Sequence, residues 1–350
     1  MPVSPRSRPC IMQVMGTGNQ YGGLEKHFFD LCNRLSADYE VVAVGHPDQA
    51  HGLKEGVHFE SIGRHMGRRN PLTLFRMMNL IRRWKPDVIH AHANRAAEMV
   101  SHVKFCTRAR CVATVHNIKQ WHFAFRGFDQ IIAVSRGVAA SIPLKNVTVV
   151  YNGIRPPAAA ETHQRSFLAS QFQLSADKPI ALSIGRLAHE KGYDVLIEAW
   201  KQIPAQLVIV GEGPERKKLE SQIAAAGVSD RVRLAGFRKD VPALLASADM
   251  KIIASRREGF PYTLVEALMC RAVIVSTDVP GATEFVPAEY LAPREDMRAL
   301  RNCILGTLSN LPAAKARYEP IWQTAARELT VETMVKNTVA TYFPAARKVA

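Results

Sequence analysis

No apolar run in the chain is long enough to cross a bilayer, because Lys, Arg, Asp, Glu or His interrupts each one before the roughly 18–20 residues that a spanning helix needs. No C-x-x-C pair occurs. The six cysteines, at 10, 32, 106, 111, 270 and 303, are irregularly spaced, which reads as reduced thiols in the cytosol and speaks against zinc. There is no repeat of fixed period and no low-complexity tract. Behind Arg6 and Arg8 the apolar segment is only Cys10-Ile11-Met12-Gln13-Val14-Met15, too short for a secretory leader, and it runs into glycines. Acidic residues are scarce: 31 Asp and Glu face 46 Lys and Arg, a net charge of +15.

What is present is a folded, globular composition, 47% hydrophobic and 22% charged, over 350 residues, a length that suits two domains. The basic excess is uneven. Up to residue 160 there are 21 Lys and Arg against 10 Asp and Glu; beyond it, 25 against 21. The excess is densest from Arg64 through Arg68, Arg69, Arg76, Arg82, Arg83 and Lys85, then Arg108 and Arg110. Such a field attracts nucleic acid, an anionic membrane face or a phosphorylated substrate, or it is simply solvated surface charge. No aromatics interleave with the run at Arg64–Arg69, which argues against nucleic acid.

Short β-branched runs alternate with helical patterns, the signature of parallel sheets covered on both faces. In the first half, strands are expected at 11–15, 41–44, 87–91, 111–115, 130–134 and 147–151, with helices near 24–36 and 72–84. The pattern restarts with strands at 180–184, 206–210, 231–234, 250–254 and 273–276, and helices at 192–201, 215–226, 241–247 and 263–270. The reading is an α/β chain of two doubly wound, Rossmann-like domains, 1–155 and 176–328. A Pro/Ala-rich linker over 156–175 joins them, and a terminal helix in 329–350 is expected to return to the first domain. Ligands of such sheets bind beyond the carboxyl ends of the strands, so two facing sheets would line a cleft with their strand-to-helix loops.

Three of those loops carry chemistry. Gly16-Thr17-Gly18-Asn19-Gln20-Tyr21-Gly22-Gly23 would let phosphate approach backbone N–H groups at a helix start, although it lacks the G-x-G-x-x-G spacing of a dinucleotide site. Gly185-Arg186-Leu187-Ala188-His189-Glu190-Lys191-Gly192 sets two cations between glycines. They either clamp a diphosphate, or Arg186 pairs with Glu190 at the surface. In Glu258-Gly259-Phe260-Pro261-Tyr262-Thr263-Leu264-Val265-Glu266, Glu258 would face the cleft and Glu266 could accept from a ribose diol, with the N–H groups of Thr263 and Leu264 aimed at phosphate.

Taken in order, GGLE at 22–25, YNGI at 151–154, GRLAHEKG at 185–192, GEGP at 211–214, VRLAGFRKDV at 232–241, EGFPYTLVE at 258–266 and PGATEFV at 280–286 resemble the retaining GT-B glycosyltransferases of family 4. The resemblance implies the GT-B fold, a nucleotide-sugar donor (a UDP-sugar first), retention of configuration, and no metal or other cofactor. It implies that Arg186 and Lys191, beside Gly185, neutralise the donor diphosphate, and that Gly22 and Gly23 close on it. Glu266 would hold the ribose. Glu258 would lie against the transferred sugar, with the backbone of Gly259, Phe260 and Pro261 at its hydroxyls, and Phe237 would receive the base. His116, in Thr114-Val115-His116, matches a T-x-H histidine near the reacting face of the sugar. Of His90-Ala91-His92, His92 is the acceptor-side candidate, whereas His90, taken to point the other way along the strand, is expected in the core. Ala282 departs from the usual second glycine of PGG, which unsettles any role for Glu284.

The activity so implied is hexosyl transfer to a glycan or lipid-linked acceptor. The basic first half suggests lipopolysaccharide core or another surface polysaccharide, in the cytoplasm and peripheral at the inner face of an anionic membrane. The alternatives are a non-enzymatic polyanion-binding protein, or another GT-B enzyme such as a sugar-nucleotide epimerase; a phosphorylase would need a pyridoxal lysine and far more chain.

Overall fold

The computed structural model describes residues 8–16, 22–63, 67, 69–118, 122–157 and 164–344. Residues 17–21 of the glycine-rich loop, Arg64 and Arg68 of the basic run, and 158–163 of the expected linker lie outside them. The chain divides into two compact units, one running to Asn152 and resuming at Val331, the other spanning Gly153–Thr330.

The first unit is built on seven parallel strands: β1 (Cys10–Met15), β2 (Glu40–Gly45), β3 (Val57–Ser61), β4 (Val88–His92), β5 (Arg110–Val115), β6 (Gln130–Ala133) and β7 (Val147–Val149). Their order is β3-β2-β1-β4-β5-β6-β7. Helices α1 (Gly23–Leu35), α2 (Pro71–Trp84), α3 (Ala93–Val103) and α4 (Arg136–Ala140) cover the faces. Ile11, Val41, Ala43, Val88 and Val112 are fully buried, as strands covered on both faces require. Strand order reverses between β1 and β4, where Met15 pairs with His92 at the carboxyl ends, the switch point of this sheet.

The second unit has six parallel strands, β8 (Ile180–Ile184), β9 (Gln206–Val210), β10 (Val232–Gly236), β11 (Met250–Ile253), β12 (Ile274–Thr277) and β13 (Leu291–Ala292), ordered β10-β9-β8-β11-β12-β13. Its helices are α5 (Arg165–Phe172), α6 (Tyr193–Trp200), α7 (Arg216–Ala225), α8 (Val241–Ser247), α9 (Tyr262–Met269), α10 (Ala282–Phe285), α11 (Met297–Ser309) and α12 (Leu311–Glu328). Trp200, Leu207, Ile209, Ile252 and Val275 fill its core. The same device starts strands in both units. An aspartate just before one strand accepts from a backbone N–H at the start of its neighbour: Asp87 from Cys10 (2.8 Å), Asp249 from Ile180 (2.8 Å), each the first residue of its strand, and Asp129 from Cys111 (2.7 Å), the second residue of β5.

Two doubly wound α/β sheets are thus what the alternating pattern foretold, with differences in detail. Part of the expected linker is helical: α5 buries Leu168 and Ala169, and Arg165 reaches Asp249 with two hydrogen bonds, at 2.5 and 2.8 Å. The last helix, α13 (Val331–Tyr342), belongs to the first unit, where Met334, Val335 and Tyr342 join Phe28 and Leu31 in the core. Among the described residues no helix is long and apolar enough to cross a membrane.

Candidate active site

The chemistry-bearing loops of the second unit meet at the carboxyl ends of β8 and β11. After Gly185 the chain turns through Arg186, which is exposed, and Leu187, which is buried. The backbone of this turn lies directly on the loop after β9; a Cβ on Gly213 would sit 2.3 Å from the Leu187 carbonyl. Leu187 N–H donates to the Glu212 carbonyl (2.9 Å) and Glu215 N–H to that of Leu187 (3.0 Å). Lys191 ends a 3₁₀ turn, and Gly192 follows at φ +65 with no room for a side chain, since a Cβ would lie 2.1 Å from the Ala254 carbonyl. That close approach brings the Lys191 loop against the segment after β11.

There Lys191 Nζ contacts Glu258 Oε1 at 2.5 Å, and Ser255 Oγ donates to the same oxygen at 2.8 Å. Glu258 is buried, so its charge is balanced by Lys191 rather than by water. Arg256 fastens the two loops together. Its guanidinium bonds both oxygens of Asp194 (2.7 and 2.8 Å), the His189 carbonyl (2.8 Å) and Glu295 (2.9 Å), and the Asp194 carboxyl is held below its ordinary range by the hydrogen bonds from Arg256. Tyr193 lies buried beneath, where a Cβ on Gly185 would come within 2.9 Å of its hydroxyl; burial, then the charge of Glu258, push its phenol up.

Gly259, Phe260 and Pro261 are buried, and the Phe260 ring packs edge-on to Phe285 with centroids 5.7 Å apart. Gly281, at φ +81, makes room for that ring, since a Cβ would meet Phe260 Cδ2 at 2.6 Å. Pro261 caps α9, in which Thr263 and Glu266 are half-buried. Of the two amides expected to face phosphate, that of Leu264 donates to the Pro261 carbonyl at 3.0 Å. Phe237 is 70% exposed just past the end of β10, and Glu284 is half-buried on α10.

Four residues of this cluster went unread in the sequence. Lys251, in the middle of β11, is 0% exposed; its Nζ reaches the Ile184 carbonyl at 3.5 Å, and burial pushes its ammonium well below the ordinary range against the opposing pull of Glu266 and Glu258. A lone lysine inside Met250-Lys251-Ile252-Ile253-Ala254 was the available signal. Arg256, Ser255 and Tyr193 were missed because their roles are set by partners distant in sequence.

In the first unit Gly22 and Gly23 are exposed at the start of α1, where Lys26 N–H donates to the Gly22 carbonyl at 3.0 Å. His92 ends β4, fully buried, with its Nε2 2.7 Å from Gln13 Oε1. Such burial gives an acceptor no access to the ring. His90 does not point away from it. Residues two apart on a strand share a face, and the two rings lie with centroids 4.2 Å apart. His90 is nonetheless core, between Thr114 Oγ1 (2.7 Å) and the Tyr342 hydroxyl (2.6 Å), and Tyr342 also accepts from Gln13 Nε2 (2.8 Å). His116, half-buried just past β5, lies beside His92 (centroids 5.9 Å) and His27 of α1 (4.8 Å). His27, unread in the sequence, is buried and bonded through Nδ1 to Asn152 Oδ1 at 3.1 Å.

The chain matches the family described as Glycosyl transferases group 1 over residues 164–317, and that described as Glycosyltransferase Family 4 over residues 21–156. It belongs to the group 1 glycosyltransferases of GT-B fold. It is 27% identical over 276 residues to the lipopolysaccharide core biosynthesis glycosyltransferase LpsE of Rhizobium meliloti (strain 1021), a stretch covering 76% of this chain and 78% of LpsE. LpsD of the same organism, which carries the same description, is 27% identical over 251 residues, 68% of this chain and 69% of LpsD. Among solved structures, Anabaena HepE in complex with UDP and glucose has the same fold at a TM-score of 0.82 and 22% identity, covering 95% of this chain and 99% of HepE.

Proposed function

We propose that this glycosyltransferase moves a hexose from a nucleotide-sugar, a UDP-sugar first, to a glycan or lipid-linked acceptor, with retention of configuration and without a metal on the diphosphate. The observation that carries the donor half is Lys191 held at 2.5 Å from buried Glu258, just ahead of α9 and its Glu266. The UDP and glucose bound by HepE support the donor class, and the descriptions of LpsE and LpsD support a lipopolysaccharide-core or related surface-glycan acceptor.

In this reading the bond between the anomeric carbon and the phosphate oxygen breaks with both electrons leaving on oxygen. Arg186, Lys191 and amides at the start of α9 stabilise that charge as fixed electrostatics. The acceptor hydroxyl attacks from the same face, its C–O bond forms, and its proton passes to the departing phosphate oxygen, so no side chain serves as covalent nucleophile. Glu258 and the backbone of Gly259, Phe260 and Pro261 hold the sugar, Glu266 the ribose and exposed Phe237 the base. Gly22, Gly23 and His116 keep the roles that their motifs imply. Because Lys191 already rests on Glu258, an arriving diphosphate exchanges one anionic partner for another without stranding the cation.

The test is a screen of UDP-, GDP- and ADP-sugars for transfer and for thermal protection. Lys191→Ala and Arg186→Ala are expected to cut turnover on the order of 10²–10³-fold with the fold intact. Activity within a few-fold of the parent overturns the clamp. A chain that no nucleotide stabilises, and that transfers nothing, is instead the polyanion-binding protein.

A further inference from the structure

We propose that His27, His92 and His116 form a binding site for one divalent transition-metal ion of the zinc type. One ring nitrogen from each lies within 4.8 Å of those of the other two. The ring centroids are 4.8, 5.5 and 5.9 Å apart, so three imidazoles from α1, β4 and the end of β5 surround one point. An ion at about 2.0–2.1 Å from each nitrogen draws the three to roughly 3.3 Å of one another. Half-buried His116, just past β5, is the third ligand.

The outer nitrogens of the two buried rings are already engaged. Asn152 Oδ1 accepts from His27 Nδ1 at 3.1 Å, and Gln13 Oε1 accepts from His92 Nε2 at 2.7 Å. Gln13 is held in that orientation because its amide donates to the Tyr342 hydroxyl at 2.8 Å. Each oxygen fixes a proton on the outer nitrogen and so leaves a lone pair on the inner one, the arrangement by which second-shell groups prepare histidine for a metal. The inner atoms, His27 Nε2 and His92 Nδ1, are buried and find no hydrogen-bond partner among the described residues. Neutral imidazoles suit zinc, copper and nickel, and three of them leave a fourth position open.

The site shares no residue with the Lys191–Glu258 cluster, and metal binding does not rest on the transfer reading; an ion and the sugar contact proposed for His116 compete for one side chain. The experiment takes the full, metal-stripped chain through equilibrium dialysis against zinc, with cobalt as a visible probe, in the absence of donor and acceptor. One zinc per chain is expected, as is the absorption of four-coordinate cobalt, displaced by zinc. His27→Gln and His92→Gln should each weaken uptake by at least the 10–100-fold that even a lost second-shell partner costs, and Asn152→Ala by about that range with every ligand still in place. His102→Gln, at an exposed histidine outside the cluster, should leave uptake unchanged. Circular dichroism of the metal-free variants separates lost binding from lost folding, and Asn152→Ala with His116→Gln decide the matter if the buried substitutions unfold. No uptake by the folded parent, or uptake undiminished in the folded variants, overturns the site and leaves the transfer reading untouched.

Discussion

The two units solve the same architectural problem with opposite electrostatics. Around the carboxyl ends of β8 and β11, residues are joined as ion pairs: Lys191 with Glu258, and Arg256 with Asp194 and Glu295. At the switch point of the first sheet the polar core is made of groups with no formal charge at neutral pH, namely Gln13, His27, His90, His92, Asn152 and Tyr342. Charge pairs hold a loop while remaining able to trade a partner for an anion. A buried neutral network cannot make that exchange, and it resists protonation instead.

Acid separates the two most strongly. Burial lowers His27 from an ordinary 6.5 to about 4, and His90 and His92 move in the same direction. Between those values the unfolded chain binds protons that the folded one refuses, so stability falls as pH drops from about 6.5 to about 4 and levels off for His27 below that. His27 alone should remove about 3 kcal/mol across the span. The second unit behaves differently. Arg256 holds Asp194 below the ordinary carboxylate range, so its contribution is full above that range and is lost only on further acidification. Urea unfolding followed through Trp200 and Trp322 for the second unit, and by protection of the first, should show the first unit weakening earlier, with His27→Gln flattening its slope. Stability unchanged from pH 6.5 to 4 would contradict the neutral network.

A smaller effect tests the charged side. Arg256→Ala removes the brace between the Lys191 and Glu258 loops without touching either residue. The expected cost is about 2 kcal/mol of stability, because Arg256 is largely buried while its partners are partly solvated. If Arg256 positions the clamp, kcat falls on the order of 10²-fold with KM for the donor changing less, and Arg256→Lys recovers part of it. Equal loss in kcat and in folded fraction would reduce Arg256 to a structural tie.

The same contrast governs what could be read in advance. The loops of the second unit are contiguous motifs, and most of their chemistry stood in GRLAHEKG and EGFPYTLVE. The histidine network is assembled from positions 13, 27, 90, 92, 116, 152 and 342, so no window of sequence holds it. Secondary structure failed for local reasons. β3 is a half-exposed edge strand without an apolar run. α3 starts directly at the end of β4, with His92 both last strand residue and helix cap, so no turn residues announce it. α12 carries Pro320 in its interior, which reads as a break until Tyr318 and Trp322 are seen packing against the second sheet through the Ile274 and Ala272 carbonyls.

The least energetic prediction concerns the surfaces. The charge excess lies mainly in the first half of the chain, and there α2 exposes Leu72 (56%) and Phe75 (53%) on the helix that also carries Arg76, Arg82 and Arg83. Apolar side chains beside arginines suit an anionic lipid face, where each basic residue contributes about 1 kcal/mol near the surface and less as salt screens it. Co-sedimentation with anionic vesicles should therefore exceed that with neutral ones at low salt and converge at high salt. Leu72→Ser with Phe75→Ser should lower it several-fold while leaving donor protection intact, since neither residue belongs to the second unit. Equal binding to both vesicle types would assign the basic excess to solvated surface or to acceptor phosphates, and would leave the contrast between the two units to their interiors alone.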